Sequence, residues 1–193
     1  MNNLKKELFR KSIHICSAFV PLLLHFFYWL TIGLLIFAVL FYILTEILRL
    51  KGKRVPLITF ITETASRDRD KGKIVLGPVF LVLGILLAAL ILPEMYGAIG
   101  IFALAFGDGC ASLFGKWIGK HKIIKSSSKT LEGSLACFTA VFISSFLVSK
   151  RPVLSLLEAL FVTLIEFFSI GNFDNLIIPL AGGSFFLFLN YFF

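Results

Sequence analysis

The sequence predicts an all-α, polytopic integral membrane protein of about seven transmembrane helices, and three observations carry that reading. Of its 193 residues 58% are hydrophobic, 23 of them phenylalanine, more apolar surface than one soluble core of this size can bury. The apolar residues gather into seven runs, each close to the length that a bilayer crossing requires. The basic residues lie mainly between the runs, and if the runs alternate in direction, 17 of the 19 fall on one side.

The first run, 12–29, follows a segment carrying Lys5, Lys6, Arg10 and Lys11. It has no small-residue cleavage site and is followed at once by a second run, so it reads as a retained helix and not a removed signal peptide. The second run, 30–48, meets the first around Phe27-Tyr-Trp-Leu30, where only a tight turn can join them. A basic segment at 49–73 leads through Leu76-Gly-Pro78 into the third run, 74–92, and Pro93 separates that from the fourth, 95–114. A second basic segment, 115–130, precedes the fifth run, 131–149. Lys150 and Arg151 divide it from the sixth, 152–170, and a short polar joint precedes the seventh, 176–193. The bias of Lys and Arg places the N-terminus and both long basic segments in the cytoplasm and the C-terminus outside. There is no repeat or separable soluble segment, so residues 1–193 read as one transmembrane catalytic domain.

A formal net charge of +8 would suggest nucleic acid as partner of a soluble chain. Here the bases flank apolar runs, so a membrane surface and an anionic ligand are the better match, with no nucleic acid. Cys16, Cys110 and Cys137 are odd in number, lack CxxC spacing and sit inside apolar runs. They read as small core residues, with neither a disulfide framework nor a zinc site.

The polar residues within this frame cluster on the predicted cytoplasmic side. Asp108 is an acid inside an apolar run, and such residues either pair with a base on another helix or bind something. Gly107 and Gly109 flank it and would let a backbone or a phosphate come close. Gly115 and Gly119 continue the series, which also suits close helix packing. In Lys125-Ser-Ser-Ser-Lys-Thr-Leu-Glu-Gly-Ser134, Thr130 is a candidate N-cap with Glu132 in the first turn. The segment reads either as a capped helix start or as an anion site, in which Lys129 and unpaired N–H groups meet a phosphate. Arg69, Asp70, Lys71 and Lys73 form a charged approach to the third run: a solvated loop, or lysines reaching a polyphosphate. Downstream, Glu166 lies near the cytoplasmic end of the sixth run, while Asp174 and Asn175 precede the seventh, where Asp174 also suits a simple cap. A carboxylate beside lysines is what phosphoryl chemistry needs, an acid to hold magnesium and cations to offset developing charge.

The segment Gly107-Asp-Gly-Cys-Ala-Ser-Leu-Phe-Gly-Lys116, followed by Lys129-Thr-Leu-Glu-Gly-Ser134, Glu166 and Asp174-Asn-Leu-Ile-Ile-Pro179, resembles the CTP-dependent lipid kinases. That family comprises phytol kinase, dolichol or polyprenol kinase and CTP-dependent diacylglycerol kinase, within the phosphatidate cytidylyltransferase-like superfamily. Glu7-Leu-Phe-Arg-Lys-Ser-Ile-His14 and Arg69-Asp-Lys-Gly72 fit the same pattern, so the resemblance spans nearly the whole chain. It implies transfer of the γ-phosphoryl group of CTP to the hydroxyl of a membrane lipid, with Mg²⁺ as cofactor. The implied catalytic residues are Asp108, Lys129, Glu132, Glu166 and Asp174, with Asp108 and Asp174 at the metal and Glu132 orienting Lys129 or touching the ion. The implied nucleotide and phosphate contacts are Arg10, Lys11, His14, Arg69, Asp70, Lys71, Lys73, Gly107, Gly109, Lys116, Lys120, Thr130, Gly133, Ser134 and Asn175. Family members often carry two adjacent acids before Asn-Leu, whereas this chain has Phe173-Asp174, which leaves a second metal ligand open.

Two alternatives stand beside this. Phosphatidate cytidylyltransferase shares the acid and the Lys-(Thr/Ser)-x-Glu-Gly signature, but its His-Gly-Gly and Asp-Arg ending is absent, and Gly171-Asn-Phe-Asp-Asn-Leu176 stands there instead. A transporter would place acids near the bilayer midplane and show two related halves. The lipid acceptor stays open among polyprenol, phytol and diacylglycerol, and a homodimer is compatible with the composition. With no retention or transit signal, the chain reads as a protein of a prokaryotic cell membrane.

Overall fold

A computed structural model describes residues 3–53, 55–65, 72–122, 129–169 and 171–193. Nine α-helices are present among them: α1 (Asn3–Cys16), α2 (Val20–Leu50), α3 (Pro56–Ala65), α4 (Gly77–Ile91), α5 (Glu94–Phe102), α6 (Gly109–Trp117), α7 (Leu131–Ser149), α8 (Pro152–Phe168) and α9 (Asp174–Phe192). A 3-10 turn, Ser17–Phe19, joins α1 to α2, and a π-helical stretch, Ala103–Asp108, joins α5 to α6. The described residues hold no strand, only an isolated bridge between Lys122 and Thr130, so the all-α expectation holds.

Prolines punctuate the chain where their missing N–H costs nothing. Pro21, Pro56, Pro78 and Pro152 occupy the first turns of α2, α3, α4 and α8, and Pro93 caps α5. The sixth, Pro179, lies inside α9. There α9 is pressed against neighbours at backbone distance: a Cβ on Gly84 of α4 would fall on the Asn175 carbonyl, and one on Gly100 of α5 on the Pro179 carbonyl. Small residues are the means by which helices in lipid gain contact, since burial of apolar groups between them supplies little drive.

The first fifty residues double back. Lys11 pairs with Asp108 and His25 Nδ1 lies 2.6 Å from Glu94 Oε1, so the stretch before Phe27 runs antiparallel to α5 and α6. Tyr28 Oη donates to the Ala89 carbonyl and Tyr42 Oη to the Val75 carbonyl, both at 3.0 Å, so the stretch after Phe27 runs antiparallel to α4. Because α4 and α5 are themselves antiparallel across the short Leu92-Pro93 joint, the two arms point in opposite directions. Phe27 makes the turn with φ −138° and ψ 54°, the non-helical residue inside α2, and the tight joint expected at Phe27-Tyr-Trp-Leu30 is found there.

Among the described residues four helical stretches are long and apolar enough to cross a membrane: Lys6–Leu50, Glu94–Trp117, Leu131–Ser149 and Asp174–Phe192, with Gly77–Ile91 a shorter apolar fifth. The count differs from the expected seven for two reasons. The first two runs form one helical stretch broken only at Phe27, and α8 is 17 residues long with Glu158 and Glu166 buried inside it. A further difference is α3, a ten-residue helix within a segment read as loop. The α5–π–α6 stretch is the buried centre, with Ile99, Ile101, Ala103, Leu104 and Ala105 excluded from solvent among α4, α7, α8 and α9. By contrast α2 exposes Phe26, Trp29, Leu30, Leu34, Phe37 and Leu40, the side chains expected of a face against lipid. A polar seam crosses the α7–α8 contact, where Ser145 donates to the wholly buried Glu158 and Ser149 lies 3.3 Å from Ser155.

Candidate active site

The π-helical stretch ends on Asp108, and local widening of a helix is one way to re-aim a side chain. Asp108 is 1% exposed, and its Oδ2 takes the Lys11 ammonium, itself 2% exposed. His14 Nδ1 lies 3.2 Å from the same oxygen, without the alignment of a hydrogen bond. Lys11 and His14 are three positions apart and share one face of α1. Glu7, one turn earlier on that face, binds Arg10 and reaches across to Lys116 of α6. Two ion pairs of opposite sense thus fasten α1 to the helix that carries Asp108.

The far wall comes from α7, α8 and α9. The Lys129 ammonium pairs with the Glu166 carboxylate and donates to the Glu166 carbonyl at 2.7 Å, tying the start of α7 to the end of α8. Asp174 opens α9 and accepts from the Asn175 N–H at 2.9 Å, while Asn175 Nδ2 donates to the Gly77 carbonyl at 3.2 Å. The charges of Asp174, Asp108, Lys11 and Lys129 interact, as do those of Glu166, Asp108 and Lys11. Residues far apart in sequence therefore build one charged end of the bundle. Beside it a cleft of about 380 Å³ opens between α1, the second arm of α2, α3 and α4, with Arg10, Lys11, His14, Asp174 and Asn175 at its polar end.

Several expected site residues take other positions. Thr130 caps α7 as anticipated, with φ −124° and ψ 154°, its Oγ1 accepting from the Gly133 N–H at 3.2 Å. The Leu131 N–H donates to the His121 carbonyl at 2.9 Å, so the first N–H groups of α7 are taken by protein and do not form an open anion site. Glu132 does not orient Lys129. Its carboxylate receives the N–H groups of Lys120 and His121 at 3.1 and 3.2 Å and lies 2.8 Å from His121 Nδ1, closing the turn after α6. The space at Gly107 is filled by α7, where a Cβ would meet Val141 Cγ2 at 2.7 Å, and at Gly109 by Ile15 of α1 at 3.1 Å. Gly133 faces the Ala111 carbonyl of α6, 2.7 Å from a Cβ there. These glycines admit neighbouring helices and not a phosphate. Ser134 is half-buried, its Oγ without a hydrogen-bond partner among the described residues. Lys73 is exposed and gives its carbonyl to Arg49 at 2.9 Å. Arg69, Asp70 and Lys71 lie outside the described residues.

Three residues without a place in the sequence reading of the site belong to it or support it. Glu7 is buried between Arg10 and Lys116. Glu46, 1% exposed, holds Arg49 and accepts from the Val75 N–H at 3.0 Å, fixing the chain where it enters α4. Thr62 of α3 lines the cleft, buried, with its hydroxyl unpartnered among the described residues. The i, i+3 spacing of Glu46 and Arg49 was a usable signal; Thr62 carried none.

Among the described residues no three His, Cys, Asp or Glu gather as a metal cage. Magnesium on a polyphosphate is ordinarily held by one or two carboxylates, with phosphate and water oxygens completing its shell. Asp108 and Asp174 are the two aspartates at this charged end of the bundle, and Asp108 Oδ2 is taken by the Lys11 ammonium.

Fold and site together define a helical protein with membrane-length apolar helices and a charged cleft at one end of the bundle. The chain is similar to dolichol kinase sec59 of Schizosaccharomyces pombe, 30% identical over an alignment 149 residues long that covers 70% of this chain and 29% of the relative. It thus spans less than a third of the length of that curated relative. No family model matches the chain, and no solved structure matches it.

Proposed function

We propose that the chain is a CTP-dependent lipid kinase of the polyprenol type, transferring the γ-phosphoryl group of CTP to the hydroxyl of a single membrane alcohol. The observation that carries this reading is the convergence of Asp108, Lys11, His14, Lys129, Glu166 and Asp174 at one end of a bundle whose outer face is apolar. Similarity to dolichol kinase sec59 supports the same class of reaction.

Phosphoryl transfer asks a protein mainly for position and charge. Lys11 and Lys129, each pre-placed by a carboxylate, would meet the phosphates and offset charge on the equatorial oxygens, with Arg10 and Lys116 at the rim. Mg²⁺, held by Asp108 and Asp174, would supply further neutralisation of the triphosphate. The acceptor oxygen attacks the γ-phosphorus, the bond from that phosphorus to the β–γ bridging oxygen breaks, and CDP leaves. The hydroxyl proton passes to His14, whose ring is set beside Asp108 in the manner of an acid that orients a base. The charged end faces the cytoplasm, where the basic segments and the nucleotide lie.

The test uses purified protein in lipid nanodiscs with Mg²⁺, a panel of hydroxyl lipids plus phosphatidate, and CTP labelled separately at the γ- and α-phosphates. The expected result is γ label on a polyprenol with release of CDP. Transfer of the α label with release of pyrophosphate would make the protein a cytidylyltransferase, and no labelled lipid would remove the kinase reading.

A further inference from the structure

We propose that the cleft between α1, the second arm of α2, α3 and α4 is the seat of a single-chain isoprenoid alcohol, its hydroxyl held between His14 and Thr62 and its hydrocarbon chain against Phe37, Ala38 and Phe41. The proposal rests on the kinase reading for the identity of the hydroxyl, but the cleft and the unpartnered Thr62 hydroxyl in it stand without it.

Three observations converge. Thr62 Oγ1 is buried without a hydrogen-bond partner among the described residues, and it lines this cleft together with His14, whose Nδ1 is turned to Asp108 Oδ2 at 3.2 Å. A buried polar group left unpaired is costly, so the Thr62 hydroxyl marks a place where a ligand completes the bonding. An alcohol is suited to it: its O–H donates to the imidazole while its oxygen accepts from the threonine hydroxyl. Away from that end the lining is apolar, with Phe37, Ala38 and Phe41 of α2, Ile58 and Ile61 of α3 and Leu81 of α4.

The lining then chooses among alcohols. At about 380 Å³ the cleft is near the lower end of ligand pockets, roughly 300–1,000 Å³, enough for the leading part of a hydrocarbon chain. Phe37, Ala38 and Phe41 are also exposed on the outer face of α2, so the chain can continue from the cleft straight into lipid. A diacylglycerol would bring a branched backbone and two ester groups to this apolar lining, where an isoprenoid alcohol brings hydrocarbon alone.

The experiment uses the full chain in nanodiscs without nucleotide and a farnesol analogue bearing a diazirine on its hydrocarbon chain, with cross-links mapped by mass spectrometry. The expected labels are on Phe37, Phe41 or Ile58, competed by unlabelled farnesol and not by dioleoylglycerol. Ala38→Trp, a change at an exposed position that fills the cleft, should cut labelling by roughly tenfold and raise KM for the alcohol by a similar factor, with KM for CTP unmoved; Ala38→Leu should give a smaller effect in the same direction. Thr62→Val should lower farnesol affinity, and Thr62→Ser should restore it. Labelling spread evenly over lipid-facing helices, or unaffected by Ala38→Trp, would overturn the proposal even if γ transfer is seen. Specific labelling of the cleft in a protein that transfers no phosphate would sustain the binding site and remove the kinase reading.

Discussion

Lys11 and Asp108, 97 positions apart in the chain, meet as a buried ion pair that joins α1 to the end of the π-helical stretch. A charge pair so deeply enclosed is a poor device for stability, because desolvation opposes the attraction, but removing one partner leaves the other stranded. Under the proposed phosphoryl transfer both groups have a further use, the lysine toward phosphate and the acid toward magnesium.

Asp108→Asn and Lys11→Met should each abolish detectable γ transfer, a loss on the order of 10³-fold or more. Each single change should also destabilise the bundle by about 3–5 kcal/mol, whereas Lys11→Met combined with Asp108→Leu should recover much of that stability and none of the activity. Thermal unfolding in detergent, read beside the transfer assay, checks both halves. A double variant as unstable as the sum of the singles would show that the pair is not coupled.

Lys129 and Glu166 form a second pair, more open on the lysine side. Lys129→Ala should slow transfer by ~10²-fold through lost charge at the phosphates, and Glu166→Gln should raise KM for CTP by freeing the lysine from its fixed place. Steady-state kinetics with CTP varied at saturating alcohol separates the two. An unchanged rate in Lys129→Ala would take that residue out of the phosphate site.

At Gly100 the test is steric. A methyl group there would land on the Pro179 carbonyl, backbone against side chain, with no flexible group to yield. Gly100→Ala should cost about 1–3 kcal/mol, lowering the unfolding temperature in detergent, while Gly33→Ala, with open space at its Cβ, should not. Equal behaviour of the two variants would mean that α5 and α9 are not in backbone contact.

Glu158 is wholly buried; Ser145 donates to its Oε2, while Oε1 lacks a partner among the described residues. An amide keeps the acceptor oxygen for Ser145 and adds no charge, so Glu158→Gln should hold or raise the unfolding temperature. Glu158→Leu, which strands the Ser145 hydroxyl, should lower it. A marked loss of stability in Glu158→Gln would show that the ionised form is needed.

The sequence made the acids visible and their partners much less so. Asp108 stood out because a carboxylate in an apolar run is rare for energetic reasons, and Thr130 because capping chemistry is local. Glu166 could be noticed, but its bond to Lys129 depends on how α7 and α8 are rotated, which no local pattern encodes. Glu132 shows the same limit from the other side: its neighbour in sequence is Lys129, yet its carboxylate serves the turn at Lys120 and His121. Glycines told that something comes close at Gly107 and Gly109, and only the assembled bundle tells that the visitors are Val141 and Ile15. The run boundaries were legible because hydrophobic length is set by the bilayer. The short helix α3 was hidden because its flanking charges drew the segment into a loop.

Within an α-helix a single residue corresponds to about 100° of rotation, so a local change of winding between Ala103 and Asp108 sets the two halves of one continuous rod at independent phases. Gly97 and Gly100 can be matched to α4 and α9 while Gly109 and Gly115 are matched to α1 and α7. Point substitutions outside the stretch leave that phase difference untouched, but loss of a single residue from 103–107 would turn Asp108 away from Lys11 while leaving every side chain in the rest of the chain unaltered.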